Sequence, residues 1–208
     1  MKKMMSVTAA FCLMLAAGTP VLFAQEGPPP LPPPLSAAAQ AAAVSGADPV
    51  ARGEFLVRLG ACHDCHTPVK MGPKGPEADM AKALSGHPQE AVVTQGIQLP
   101  EGWLAATSMT FTAWSGPWGV SFTRNLTPDK ETGIGAWTAD EFVATIKSGR
   151  KQGRGRELLP PMPWQQYQVL AESDLKAIYA YLMTVPPIRN KVPDPIPPAA
   201  PPAASPKS

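Results

Sequence analysis

Gly60-Ala61-Cys62-His63-Asp64-Cys65-His66-Thr67-Pro68 is the stretch on which the reading of this 208-residue chain turns. Two cysteines separated by two residues, with a histidine directly after the second, form the attachment signature of a c-type haem. The spacing has a mechanical reason. Cys62 and Cys65 lie about one helical turn apart, so both sulfurs point the same way and each can bond one vinyl group of a single porphyrin. His66 then lies beneath the iron and can ligate it through a ring nitrogen. A thioredoxin-like CxxC would need a surrounding βαβ pattern, which is not found. A zinc site would need a second Cys or His pair at ligand spacing. The only other cysteine is Cys12, and the only other histidines are His63 and His87. The sequence therefore predicts one covalently attached haem c, bonded by Cys62 and Cys65, with His66 on the iron.

Upstream, Lys2 and Lys3 precede an apolar run from Met4 to about Ala24. A basic start and a short apolar stretch outline a secretory signal over residues 1–24. Gly18, Thr19 and Pro20 interrupt the run and weaken it as a spanning helix. An uncleaved N-terminal anchor is the alternative. Cys12, inside this segment after Ala10 and Phe11, is a poor match to a lipoprotein site and is read as a bystander. Export agrees with the haem motif, because such attachment is expected on the oxidising, extracytoplasmic side of a bacterial membrane. The expected location is periplasmic, with membrane contact only if the segment is retained.

Charge and composition then bound the rest. The chain carries 18 Lys+Arg against 16 Asp+Glu, and loss of Lys2 and Lys3 makes the two equal. A neutral exported chain gives no electrostatic reason to bind nucleic acid. Of the 27 prolines, 6 lie between Pro28 and Pro34 and 9 between Pro186 and Pro206. Such termini read as extended spacers or disordered tails. The expected division is a Pro/Ala-rich linker over 25–47, one folded domain over 48–189, and a Pro/Ala-rich disordered tail over 190–208. Ser36–Gly46 reads as a short helix or more linker.

Three helices are expected within the domain. The first has Asp48 as N-cap and Pro49 in its first turn, and runs to about Leu59. Its apolar residues are Phe55, Leu56 and Leu59, and Gly53 is small enough for close contact with another helix. The second opens on the capping box Thr138-Ala139-Asp140-Glu141, continues through Phe142, Val143 and Ile146, and stops at Gly149. The third begins between Ala171 and Asp174, shows Leu175, Ile178, Tyr179 and Leu182 on one face, and ends at Pro186-Pro187. Between the first two, Thr67–Ala136 is long for a connection. Alternation over Met109–Trp114 and Val120–Arg124, around Ser115-Gly116-Pro117, predicts a short β-hairpin. Trp103, Trp114, Trp118 and Trp137 add aromatic bulk to this region, as packing beside the porphyrin or within the insert.

The chain from about Ala51 to Pro187 resembles a class I cytochrome c domain. It is most similar to the domains in the cytochrome subunits of bacterial membrane-bound alcohol, aldehyde and gluconate dehydrogenases. The matching pieces are the Gly60–His66 motif, Leu84-Ser85-Gly86-His87-Pro88, Asn125-Leu126-Thr127-Pro128-Asp129, Glu131–Trp137, and Leu159-Pro160-Pro161-Met162-Pro163-Trp164. Those subunits string together three haem domains, whereas this sequence holds one CxxCH and resembles one domain used singly. The resemblance implies an all-α fold, with about three core helices around one haem and a long insert carrying a short β-hairpin. It also points to Met162 as the sixth ligand, presented by a loop stiffened by Pro161 and Pro163; a thioether favours Fe(II) and raises the reduction potential. His87 and Met109 remain as alternatives. The ring N–H of His66 is expected to donate to a backbone carbonyl near Pro73 or Pro76.

The function expected on this basis is that of a mono-haem electron carrier, not an enzyme, so no catalytic residue is named. Its partners would be a dehydrogenase or quinol-oxidising complex on one side and an oxidase or another cytochrome on the other. The alternatives are a haem enzyme or a gas or peroxide sensor with an open iron site, and a dedicated haem subunit of one dehydrogenase. One basic run, Arg150, Lys151, Arg154 and Arg156, reads as a solvated loop, a neutraliser of a haem propionate, or a dock for an acidic redox partner.

Overall fold

A computed structural model of the chain describes residues 48–198. The expected signal peptide (1–24), the linker (25–47) and the end of the expected tail lie outside the described residues. Helix α1, Pro49–Leu59, begins where the capping pattern places it: the Asp48 carboxylate accepts from the backbone N–H groups of Val50 (2.9 Å) and Ala51 (3.3 Å). Gly60 ends it, and Ala61 takes a left-handed conformation with φ of 53°. That sharp turn starts α2, Cys62–His66, on a new axis. Helix α3, Ala139–Ser148, carries the full capping box, and Gly149 closes it at φ of 68°. A single turn, α4 (Trp164–Tyr167), precedes α5, Glu172–Leu182.

α1 packs across α5, and α5 also rests on α3. The α1–α5 approach is close at Gly53, where a β-carbon would stand 1.9 Å from the Ala177 carbonyl oxygen and 2.8 Å from Tyr181 Cβ. Leu56 and Val57 of α1, Phe142, Val143 and Ile146 of α3, and Leu175, Ile178 and Leu182 of α5 form one buried cluster, joined by Leu84 and Ile134. Arg52 and Asp174 tie the outside of the same crossing at 2.9 Å.

The expectation of an all-α fold is overturned. Among the described residues two small antiparallel sheets accompany the helices. Strands β1 (Val69–Gly72) and β2 (Gly75–Ala78) make a hairpin directly after α2, paired from Val69–Ala78 to Gly72–Gly75. Strands β3 (Ala106–Thr107), β4 (Ala113–Gly116) and β5 (Gly119–Phe122) form the second sheet in that order. The β4–β5 pair is the hairpin expected from the alternation, but it begins at Ala113 and turns at Pro117-Trp118, later than read. The β1–β2 hairpin was missed because its strands are four residues long and one contains Pro76, a poor strand former.

The start of the expected tail is also packed. Asn190 is buried and donates to the carbonyls of Ser85 (2.8 Å) and His87 (2.9 Å), while its Oδ1 accepts from the Gln89 N–H (2.9 Å). Val192 joins Ala113, Val120 and Phe122 in a second apolar cluster, and Ile196 pairs with Val120 through two backbone hydrogen bonds. Residues 189–198 thus form a strap across the β5 side of the domain rather than a free tail. Proline excludes helix here, but it does not prevent side-chain hydrogen bonding or apolar packing.

Candidate functional site

Between α1, α2, α3, α5 and the exit of β5 lies a cavity of about 500 Å³. Its wall is mostly apolar, with Leu56, Phe122, Leu126, Ile134, Trp137 and Phe142 among the lining residues. Cys62, Cys65, His66 and Met162 line this same cavity. They come from two places far apart in sequence. The left-handed Ala61 turns α2 so that its cysteines face the space, and the Leu159–Pro163 loop reaches it from beyond α3. Tyr167 of α4 donates from its hydroxyl to the Gly60 carbonyl at 2.6 Å, tying the turn before Cys62 to the segment that follows Met162. The hydroxyl of Ser121 on β5 donates to the Pro160 carbonyl and holds the Met162 loop from the other side.

No disulfide joins Cys62 to Cys65. Burial pushes the Cys62 thiol up to about 11 and raises Cys65 as well. Burial holds His66 below its ordinary value, only partly offset by its hydrogen bond to a carbonyl. The ring is therefore neutral, with Nδ1–H donating to the Arg124 carbonyl at 2.7 Å and Nε2 left as the lone-pair nitrogen. A neutral imidazole oriented through its second nitrogen is how a metal-binding histidine is prepared. The acceptor differs from the one expected. Gly72, Pro73 and Pro76 belong to the β1–β2 hairpin, and the carbonyl in reach is supplied by the chain leaving β5.

The other two candidates for the sixth position are elsewhere. His87 is fully buried, its Nδ1 bonded to the Thr112 hydroxyl (2.9 Å) and its Nε2 to the Ala91 carbonyl (2.7 Å), with its ring against Phe122 at 4.8 Å. Neither nitrogen is available, and His87 is absent from the cavity wall. Met109 is 82 % exposed. Met162 alone of the three lines the cavity.

Sequence reasoning included Lys151 and Arg156 in a basic run that could neutralise a haem propionate, but missed Arg124, Lys130 and Thr123. Lys130, Arg124, Lys151 and Arg156 line the cavity, and so does Thr123, whose buried hydroxyl has no hydrogen-bond partner. The basic run is split by the fold. Arg150 pairs outward with Glu157 (3.0 Å) and Arg154 with Glu141 (3.1 Å), while Lys151 and Arg156 face the cavity. Of the tryptophans, Trp137 lines the cavity, Trp118 covers Gly116, and Trp103 is 66 % exposed.

Paired thiols, an oriented neutral imidazole, a thioether and a cationic edge around one apolar space define a protein that can hold a large, flat, metal-bearing group with acidic substituents. No protein-family model matches the chain. Among characterised proteins, it is similar to the cytochrome c subunit of gluconate 2-dehydrogenase from Pantoea cypripedii, 32 % identical over 134 residues, or 64 % of this chain and 22 % of that one. It is also similar to the cytochrome c subunit of quinone alcohol dehydrogenase from Gluconobacter oxydans, 30 % identical over 148 residues, 70 % of this chain and 24 % of the relative. A longer match, 29 % over 180 residues, is to the cytochrome subunit of fructose dehydrogenase from Gluconobacter japonicus, covering 86 % of this chain and 28 % of that protein. The resemblance is thus to a cytochrome c domain of dehydrogenase cytochrome subunits. The chain spans less than a third of the length of these relatives.

Proposed function

We propose that this chain is a c-type cytochrome domain that carries single electrons and is not itself a catalyst. The observation that carries the reading is the meeting of Cys62, Cys65, His66 and Met162 on one cavity wall. The fit to haem is supported by the size of the space, its apolar lining, and the unpartnered Thr123 hydroxyl beside cationic side chains. Cys62 and Cys65 would hold the porphyrin, and His66 and Met162 would ligate its iron. When bound, the haem supplies a one-electron couple at its iron. The chain's own part is to keep both ligands in place, so that little rearranges on electron transfer, and to exclude water with Leu56, Ile134 and Phe142. The Arg124 carbonyl fixes the His66 ring, and Ser121 and Tyr167 brace the two segments that carry the ligands.

The relatives are named as cytochrome subunits of dehydrogenases, which supports a dehydrogenase as the electron donor and an oxidase or further cytochrome as the acceptor. A periplasmic location follows from the signal-like start and the haem motif. Among the described residues, no helix is long and apolar enough to cross a membrane.

The test is the iron's sixth position. Purified protein is expected to carry one covalent haem per chain, to be low-spin in both oxidation states, and to resist carbon monoxide when reduced. Met162→Ala should admit carbon monoxide and lower the potential while leaving the haem attached. Ready carbon monoxide binding by the wild type would instead favour an open-site sensor or enzyme.

A further inference from the structure

Arg124 and Arg156 sit on the wall of an apolar cavity without an ion-pair partner among the described residues. Arg124 leaves β5, and Arg156 lies in the loop after α3, so the fold brings together two cations from distant parts of the chain. They are close enough for the charge of Arg156 to disfavour that of Arg124, and both are disfavoured by burial. Asp194 on the strap is the carboxylate whose charge favours both, yet it makes no ion pair with either. The Arg124 guanidinium instead reaches the carbonyls of Val192 and Pro193, each at 3.4 Å, the long limit of a hydrogen bond. Beside them the Thr123 hydroxyl is buried and unsatisfied. Arg156 likewise has only a carbonyl among the described residues, that of Glu157 at 3.1 Å. Two partly buried guanidinium groups held by backbone carbonyls alone, beside an orphaned hydroxyl on the same cavity wall, are better satisfied when an anion completes them. The contrast within the same loop is direct: Arg150 and Arg154, which point outward, each have a glutamate.

We propose that Arg124, Arg156 and Thr123 form a carboxylate-binding subsite on the cavity wall, taking the two acidic side chains of the tetrapyrrole, and that the C-terminal strap completes it by holding Arg124. Guanidinium is the suited donor, because its planar fork meets a carboxylate with two hydrogen bonds. Pro195 lines the cavity next to Asp194, so the strap is itself part of the wall. The anionic group would therefore bring together three segments: the β5 exit, the loop after α3, and the strap. This rests on the haem reading of the cavity. It separates the two sharper roles open to the basic run, assigning Arg156 inward to the cofactor and leaving Arg150 and Arg154 as surface pairs.

The experiment uses the haem-loaded full chain and compares Arg124→Gln and Arg156→Gln with Arg150→Gln as the outward-facing control. Covalent haem per chain is counted first, by extraction, and then the resonance Raman bending mode of the propionates and the midpoint potential are measured. Both cavity variants are expected to keep the haem, shift the propionate mode and lower the potential, because a cation near the iron favours Fe(II). Arg150→Gln should match the wild type in both readouts. An unmoved propionate mode in both cavity variants overturns the proposal. It is equally overturned if these variants change only the salt dependence of electron transfer to a protein partner, which would make the arginines a docking patch. Should the glutamine variants fail to accumulate, Arg124→Lys and Arg156→Lys carry the test. They keep the charge and lose the fork, so the mode should move while the potential holds, and an unmoved mode again overturns the subsite. Wild-type protein without covalent haem would defeat the haem reading itself, and the extraction count recognises that case before any spectrum is taken.

Discussion

Single side chains in this domain do work that their residue type does not announce. His87 is one case: a histidine in a family-like motif is a natural metal ligand, but here both ring nitrogens are spent on Thr112 and Ala91. Asn190 is another, since its one amide satisfies Ser85, His87 and Gln89. Asn190→Ala removes these bonds and should cost about 3 kcal/mol, at about 1 kcal/mol each, read as a lower denaturation midpoint with unchanged haem content. Arg52 and Asp174 make a two-pronged contact, 2.9 and 3.1 Å, and the hydrogen bond from Arg52 holds the Asp174 carboxyl below its ordinary value. A depressed folded-state value means that the pair's contribution is full above the unfolded carboxylate value, about 3.9, and is lost as pH falls through the folded one. Stability measured downward from pH 5 should therefore fall more steeply in the wild type than in Asp174→Asn. Equal slopes would show that the pair contributes nothing to acid sensitivity.

At the scale of elements, the helices follow local rules and the sheets do not. Asp48, the Thr138–Glu141 box and Gly149 mark helix ends through backbone groups within a turn of the marker. Thr138→Ala should therefore cost about 1 kcal/mol by removing a cap, with little effect on the cavity. The α1–α5 crossing is stricter, because Gly53 meets backbone and not a flexible side chain. Gly53→Val should destabilise by about 3 kcal/mol, the upper end of overpacking, and should also disturb the haem spectrum, since α1 carries Leu56 into the cavity wall. A variant with wild-type stability would mean that the helices can separate at no cost.

For the whole molecule, the cavity is the missing centre of the core. Leu56, Ile134, Phe142, Ile146, Leu175, Ile178 and Leu182 both belong to the main apolar cluster and face the 500 Å³ space. Side chains that face a space of that size lack a packing partner on one side unless a bound group supplies it. The double variant Cys62→Ser with Cys65→Ser should consequently show less helix by circular dichroism and a less cooperative melt, besides carrying no covalent haem. The strap belongs to the same unit: deletion of 190–208 should lower the melting temperature, because it removes Asn190, Val192 and the Ile196–Val120 pairing.

By itself the sequence determined what depends on neighbours along the chain. The candidate trio Cys62, Cys65 and His66 is legible because a fixed local spacing places all three on one short helix at the cavity, and the three main helices because their caps and apolar periods lie within a few residues of each other. The tertiary structure alone decided what depends on residues brought from afar. It chose Met162 over His87 and Met109 as the side chain facing the cavity, made Arg124 the partner of the His66 ring, and divided one basic run into inward and outward halves. It also turned an expected all-α domain into one with two small sheets and an expected tail into a strap. The physical reason is common to all of these. Short strands and proline-rich segments have little intrinsic preference, so pairing and burial against distant segments settle their conformation.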